Sequence, residues 1–204
     1  ESDEPYLLLD AAGRCIGVEK RTRGDAERMI EEFMLQANTA AAHLARRRQL
    51  PFVYRVHENP SADKVEQLKK VLKAVGVEFT FREEIPTQQE LSALLDKTRG
   101  TNLEVPVHNA VLRSMQKARY EPIPKGHFGL ALSDYAHFTS PIRRYPDLAI
   151  HRILSDVVAG ATDEALQKRY KGFVTTASDR SSEREVVAVQ VERDCDDVYK
   201  AEYM

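Results

Sequence analysis

His137-Phe138-Thr139-Ser140-Pro141-Ile142-Arg143-Arg144-Tyr145-Pro146-Asp147-Leu148 is the stretch on which the reading of this chain turns. Serine can cap a helix and proline can occupy its first position without losing a hydrogen bond. Ser140-Pro141 therefore predicts a helix start, with a kink or split at Pro146. The free N–H groups and positive dipole end of such a start form an anion site. Arg143 is expected in that first turn, where a guanidinium can grip phosphate with two prongs and stabilise charge that develops during hydrolysis. A bare Ser-Pro-x-Arg is a weak signal, and a capped helix with solvated arginines is the plainer reading.

Around this stretch the charge is uneven. The whole chain has 204 residues, with 30 Lys+Arg against 32 Asp+Glu, a net −2. That balance excludes a generally polycationic protein. Between Val111 and Arg152, however, seven bases (Arg113, Lys117, Arg119, Lys125, Arg143, Arg144, Arg152) face three acids (Glu121, Asp134, Asp147). His127, His137 and His151 lie in the same window, with Tyr120, Phe128, Tyr135, Phe138 and Tyr145. Bases interleaved with rings suit single-stranded nucleic acid, where phosphates want cations and bases want π faces. On composition alone, a solvated basic face over core aromatics explains the same residues.

Further out, the pattern predicts an α+β fold with more helix than strand. Tyr6–Leu9 and Ile16–Val18 read as a hairpin about Ala12-Gly13. Asp25 is expected to cap a helix reaching Arg47, its core stripe formed by Ala26, Met29, Phe33, Ala37, Ala40 and Leu44. Residues 52–56 read as a strand. Ser61 opens a helix with Val65, Leu68, Leu72 and Val75 on one face, stopped by Gly76. Thr87 and Glu90 fit a capping box ahead of Leu91, Leu94 and Leu95. Pro106 suits the first turn of a helix through Val107, Val111, Met115 and Ala118. Alternation predicts short strands over Val77, Phe79 and Phe81 and over Phe128, Leu130 and Leu132. Gly160 opens a loop, and residues 163–203 are helical in pattern and highly charged. No repeat or linker interrupts this, so residues 1–204 read as a single domain fragment. The opening Glu1-Ser2-Asp3-Glu4 is not a signal peptide, and apolar stretches such as Leu7 to Leu9 are far too short to span a bilayer. Two cysteines, Cys15 and Cys195, argue for reduced thiols and a cytoplasmic setting.

Taken together, the motifs resemble the ribonuclease II/ribonuclease R family. They run from Leu112-Arg113-Ser114-Met115 and Ala118-Arg119-Tyr120 through Gly126-His127-Phe128-Gly129-Leu130 and the opening stretch to His151-Arg152. Upstream, residues 30–35 (Ile-Glu-Glu-Phe-Met-Leu) with Asn38, and Pro-Phe-Val-Tyr-Arg-Val-His-Glu at 51–58, match as well. Near the end, Glu192-Arg193-Asp194 is similar to the family's closing helix. The likeness covers almost the whole chain and corresponds to the second half of that family's catalytic, or RNB, domain. The Tyr-Pro-Asp and Arg-Val-His-Glu forms lean toward its ribonuclease R branch.

That resemblance implies a processive 3′-to-5′ hydrolytic exoribonuclease, acting on single-stranded RNA and releasing nucleoside 5′-monophosphates. It implies that Arg143 contacts the scissile phosphate and that Glu192 touches the terminal nucleotide, across the same site. An acid of the Glu-Glu-x-Met stretch contacts a ribose. Glu31 and Glu32 both qualify, and the shared helix face of Glu31 and Asn38 mildly favours Glu31. Arg144, Tyr145 and His127 complete the expected RNA contacts. Family members use a divalent metal, usually Mg²⁺, held by closely spaced aspartates early in the domain. No such run occurs here, and the ligands are expected upstream of residue 1, in the rest of a parent chain that also carries flanking oligonucleotide-binding barrels. Glu192, Asp194, Asp196 and Asp197 are more simply a solvated helix face than a metal site. The alternative is a non-catalytic RNA-binding module without a metal site.

Overall fold

The hydrophobic pattern is realised, in a computed structural model, as ten regular elements built on two cores; the structure describes residues 5–20 and 24–203. The acidic opening Glu1 to Glu4 and Met204 lie outside the described residues. The first hairpin is β1 (Pro5–Leu9) with β2 (Cys15–Lys20), antiparallel, with a bulge after Leu8. Its turn is made by Asp10, whose carboxylate accepts from the N–H groups of Ala12 and Arg14, both at 2.9 Å. Gly13 supplies the left-handed residue at φ +81°.

Helix α1 (Asp25–Arg47) starts one residue from the expected cap. Gly24 is the cap, and the Glu27 carboxylate accepts from its N–H at 3.1 Å. The expected core stripe is not the buried one. Met29 is 53% exposed and Phe33 64%, whereas Asn38, Ala41, Ala42 and Ala45 are buried. Their spacing of three and four residues is also helical, and their small side chains let the helix axis approach the core closely. A large-residue stripe and a small-residue stripe coexist on α1, and periodicity cannot rank them.

That buried face meets a two-stranded antiparallel sheet, β3 (Tyr54–Val56) and β4 (Arg119–Glu121), with Arg55 opposite Tyr120. Strand β3 is the shortened form of the predicted 52–56 strand, and β4 follows a helix expected to run through Ala118 that ends instead at Ser114. Around this sheet pack α5 (Tyr145–Val158) and the first half of α6 (Asp163–Tyr203), through Ile150, Ile153, Leu166, Tyr170 and Val174. The predicted 163–203 helix forms with those bounds, preceded by Gly160 in a left-handed turn at φ +87°.

A second core joins α2 (Ala62–Ala74), α3 (Gln88–Thr98) and α4 (Glu104–Ser114). Val65, Leu68, Leu72, Leu94 and Val107 are almost fully buried there. The capping box on α3 is present: Glu90 N–H donates to Thr87 Oγ1 at 3.2 Å and Thr87 N–H to Glu90 Oε2 at 2.8 Å. Two predicted strands are absent. Val77 and Phe81 are buried against α2 and α3, but no chain lies beside them to pair with, and they form an extended loop. Residues 128–130 instead make a single 3-10 turn, because His127 N–H donates to Leu132 O at 2.8 Å and folds the segment back on itself.

Candidate catalytic loop and RNA-facing cavities

Residues 140–144 form a turn rather than the start of a helix. The N–H groups of Arg143 and Arg144 both point back to Ser140 O, at 3.3 and 3.1 Å. Arg144 is then extended, at φ −125° and ψ 119°, and caps α5, which opens with Tyr145 and Pro146. The predicted helix start at Ser140 is therefore corrected by five residues. A helix begun at Pro141 would carry Pro146 in its interior, where proline removes a hydrogen bond and clashes with the preceding turn; starting at Tyr145 puts Pro146 in the first turn, where it is tolerated.

Asp147 holds this turn closed. Its side chain is completely buried and accepts three hydrogen bonds: Ser140 N–H at 2.8 Å, Arg144 Nη2 at 2.8 Å and Arg144 Nε at 3.0 Å. Arg144 is thereby committed to an internal two-pronged pair. Its neighbour Arg143 is exposed and, among the described residues, has no partner. Two adjacent arginines thus have opposite assignments, one structural and one available to an anion.

Asn38 fixes the other end of the loop. From the buried face of α1 its Oδ1 accepts from Phe138 N–H at 2.8 Å and Thr139 N–H at 3.2 Å, while its Nδ2 donates to Tyr135 Oη at 3.0 Å. Beside it opens a cavity of about 690 Å³ between α1 and residues 130–144, lined by Glu31, Glu32, Asn38, Tyr135 and Arg144 among others. Three expected site residues, Glu31, Asn38 and Arg144, meet in this one cavity. Both glutamates reach it, so the choice between Glu31 and Glu32 stays open.

His127 lies in a row of edge-packed rings. Its ring centre is 5.1 Å from that of His57 and 5.3 Å from that of Tyr135, and Tyr135 is in turn 5.7 Å from His137. Burial, reinforced by His57 and Arg55, pushes the His127 imidazole down to about 4. Burial, with Arg144 and Arg55, pushes His137 down to about 3. Both rings are neutral near pH 7; Tyr120 Oη lies 3.0 Å from His137 Nδ1, whereas His127 Nδ1 is buried without a hydrogen-bond partner among the described residues. His57 Nδ1 accepts from Gly129 N–H at 2.9 Å, and a Cβ at Gly129 would meet that nitrogen at 2.8 Å. Glycine is required there by this close approach.

Three of the seven bases in the basic window, Arg119, Lys125 and Arg144, are held in ion pairs. Arg119 and Lys125 pair with Glu121 and with Glu58, an acid outside the window counted from sequence. Hydrogen bonding from Arg119 holds the Glu58 carboxyl below its ordinary value. The free cations are fewer and more localised than the composition suggests. Tyr145 is 48% exposed and lines a second cavity with residues of α6. Glu192 is exposed in the last third of α6 and lines neither cavity. Among the described residues no three His, Cys, Asp or Glu side chains converge as metal ligands. Asp194 accepts from Gln190 and Asp197 faces Lys200, contacts along a solvated helix face. The described side chains do not fit a Mg²⁺ site. Asp147 and Tyr135 were missed as site residues; only the three-residue spacing of Arg144 and Asp147 hinted at the first.

Against known proteins, residues 1–160 match the model of the RNB domain. The chain is 40% identical over 201 residues to ribonuclease R 1 of Lactococcus lactis, covering 98% of this chain and 25% of that protein. It is 41% identical over 207 residues to ribonuclease R of Thermotoga maritima, covering the whole chain and 29% of that protein. The structure of Mycoplasma genitalium RNase R in complex with ribose-methylated single-stranded RNA superposes with a TM-score of 0.89 at 28% identity, over 99% of this chain and 32% of that one. The fold around this loop is thus a ribonuclease-type α+β fold. The chain belongs to the RNB domain family, and it spans between a quarter and a third of the length of these relatives.

Proposed function

We propose that this chain is a single-domain fragment, the C-terminal part of an RNB catalytic domain, in a processive 3′-to-5′ hydrolytic exoribonuclease that acts on single-stranded RNA in the cytoplasm. The observation that carries this reading is the pairing pattern of the loop. Asp147 draws Arg144 inward, into the lining of the cavity shared with Glu31 and Asn38, and leaves the adjacent Arg143 exposed and, among the described residues, without a partner. Arg143 takes the scissile phosphate and stabilises the charge that builds on its oxygens as the bond to the terminal nucleotide breaks. A carboxylate from Glu31 or Glu32 accepts from a ribose hydroxyl, which a deoxyribose lacks. Glu192 does the same for the terminal nucleotide, whose departure yields a nucleoside 5′-monophosphate. Tyr145 offers a stacking face. His127 works indirectly, as a neutral ring that packs the wall behind Tyr135.

Divalent metal, Mg²⁺ in this reading, belongs to the rest of the parent chain, together with the N-terminal half of the catalytic domain and the flanking RNA-binding barrels. The test is a gel of end-labelled oligoadenylate incubated with Mg²⁺ and either this chain or the full-length protein. The full-length protein is expected to yield a ladder of 3′-shortened products. The chain alone is expected to bind weakly and leave the RNA intact. A full-length protein that binds the oligonucleotide without shortening it would establish the non-catalytic binding module instead.

A further inference from the structure

The first residue of α5 faces the middle of α6. Tyr145 there closes a groove of about 390 Å³ whose other wall is Phe173, Thr176, Arg180, Ser181 and Arg184. The size is that of a small-ligand pocket. Arg180 and Arg184 stand one turn apart on the same face of α6, and both are exposed. Like charges at that spacing repel and destabilise a helix unless an anion lies between them. Among the described residues neither arginine has an ion pair or hydrogen bond to relieve this. The acids nearby on α6 do not supply one. Glu185 is taken by Arg55 at 2.6 Å, and among the described residues neither Asp179 nor Glu183 forms an ion pair with either arginine. Two hydroxyls, Thr176 and Ser181, line the same wall. Arg143, also unpartnered, is only two residues before Tyr145.

Two unpaired guanidiniums, hydroxyl donors and a half-exposed phenol ring in one groove match the parts of a nucleotide: phosphate, sugar and base. We propose that this groove is a second RNA subsite, in which Arg180 and Arg184 together hold one phosphodiester and Tyr145 stacks on the adjoining base. It rests on the reading of the chain as part of an RNA-degrading enzyme. It adds a grip on the strand away from the bond being cut, of the kind a processive enzyme needs to keep its substrate after each cleavage.

The experiment uses the full-length protein with a fluorescent oligoadenylate in EDTA, so that binding is read without hydrolysis, at several salt concentrations. Replacing both arginines (R180A/R184A) is expected to weaken binding by about ten- to hundredfold, the worth of charge-assisted contacts. The slope of log affinity against log salt should shrink by about 0.7, the value for one phosphate of a single strand. The lysine pair R180K/R184K should restore the slope but only part of the affinity, since lysine keeps the charge and loses the fork. Alanine favours helix, so the folded state survives the change, and an unaltered thermal transition checks this. Equal affinity and equal slope in the alanine pair would overturn the subsite and leave the groove to an acidic protein partner. A wild-type protein that neither binds the oligonucleotide nor shortens it with Mg²⁺ restored would overturn the underlying functional reading instead.

Discussion

The two cores of this molecule are built from opposite materials. The core of α2, α3 and α4 is aliphatic and aromatic, and its buried polar side chains, Thr98 and Ser114, bond back to carbonyls of their own helices. The core of α1, the β3–β4 sheet, α5 and α6 buries Asn38 and Asp147 at its edge, each bonded to backbone N–H groups of the loop at 138–144. Asp134, buried nearby, holds Arg46 at 2.7 Å and, together with desolvation, helps push the Tyr54 hydroxyl up to about 12. The first arrangement stabilises helices and specifies little else. In the second, each buried carboxylate or amide selects one loop conformation, because leaving any of its partners unpaired costs about 1–3 kcal/mol. The loop that carries Arg143 sits on the polar core, where directional hydrogen bonds to its backbone fix its shape as apolar packing alone does not.

The sharpest way to break this contrast is at the loop itself. In the full-length protein, Arg143→Ala is expected to lower the single-turnover cleavage rate by roughly two to four orders of magnitude, as loss of a transition-state charge partner does. RNA affinity should fall much less, because Arg143 is one phosphate contact among several. Near-normal cleavage by this variant would remove Arg143 from the chemistry.

A paired substitution, one in each core, tests whether polar and apolar burial differ in kind. Asp147→Ala leaves the Arg144 guanidinium partly buried and unpaired and should destabilise by about 3–5 kcal/mol. Leu94→Ala, at a fully buried position of the other core, should cost a similar ~2–5 kcal/mol. Denaturant unfolding is expected to find the two comparable. Cleavage measured well below the unfolding transition should separate them: the Asp147 variant slow, the Leu94 variant normal. If both cleave alike, the loop does not depend on its polar anchor.

Acid gives the smallest of these effects, and its largest shifts fall on the histidines of the ring row beside the polar core. Buried His127 and His137 have folded values of about 4 and about 3, below the ordinary 6.5. As pH falls below 6.5 the unfolded chain takes up protons that the folded one refuses, so stability is full above 6.5 and is lost progressively toward pH 4 and 3. A loss on the order of 2 kcal/mol is expected between pH 7 and pH 5.5. His137→Gln should flatten that slope in a titration of thermal midpoint against pH. An equally steep slope in the variant would place the acid sensitivity elsewhere.

Much of this was legible in residues 1–204 taken as a string. Capping and breaking residues act over three or four positions, so the Thr87–Glu90 box, the Gly160 stop and the extent of α6 could be read directly. The Ser140–Tyr145 stretch and its flanking motifs pointed to the RNB family, to which the chain belongs, and singled out Arg143 as the residue expected to meet phosphate. Other matters were settled only by the folded chain. Periodicity shows which residues share a face of α1 but not which of two faces meets the sheet; close approach chose the alanines over Met29 and Phe33. The split between Arg144 and Arg143 depends on where Asp147 lies once α5 has begun at Tyr145. The meeting of Tyr145 with Arg180 and Arg184 joins positions some 35–39 residues apart in the chain. Local signals decide elements because their energies are local. Which charge is paired and which is left for a ligand depends on distances between elements, and those exist only after the cores have closed.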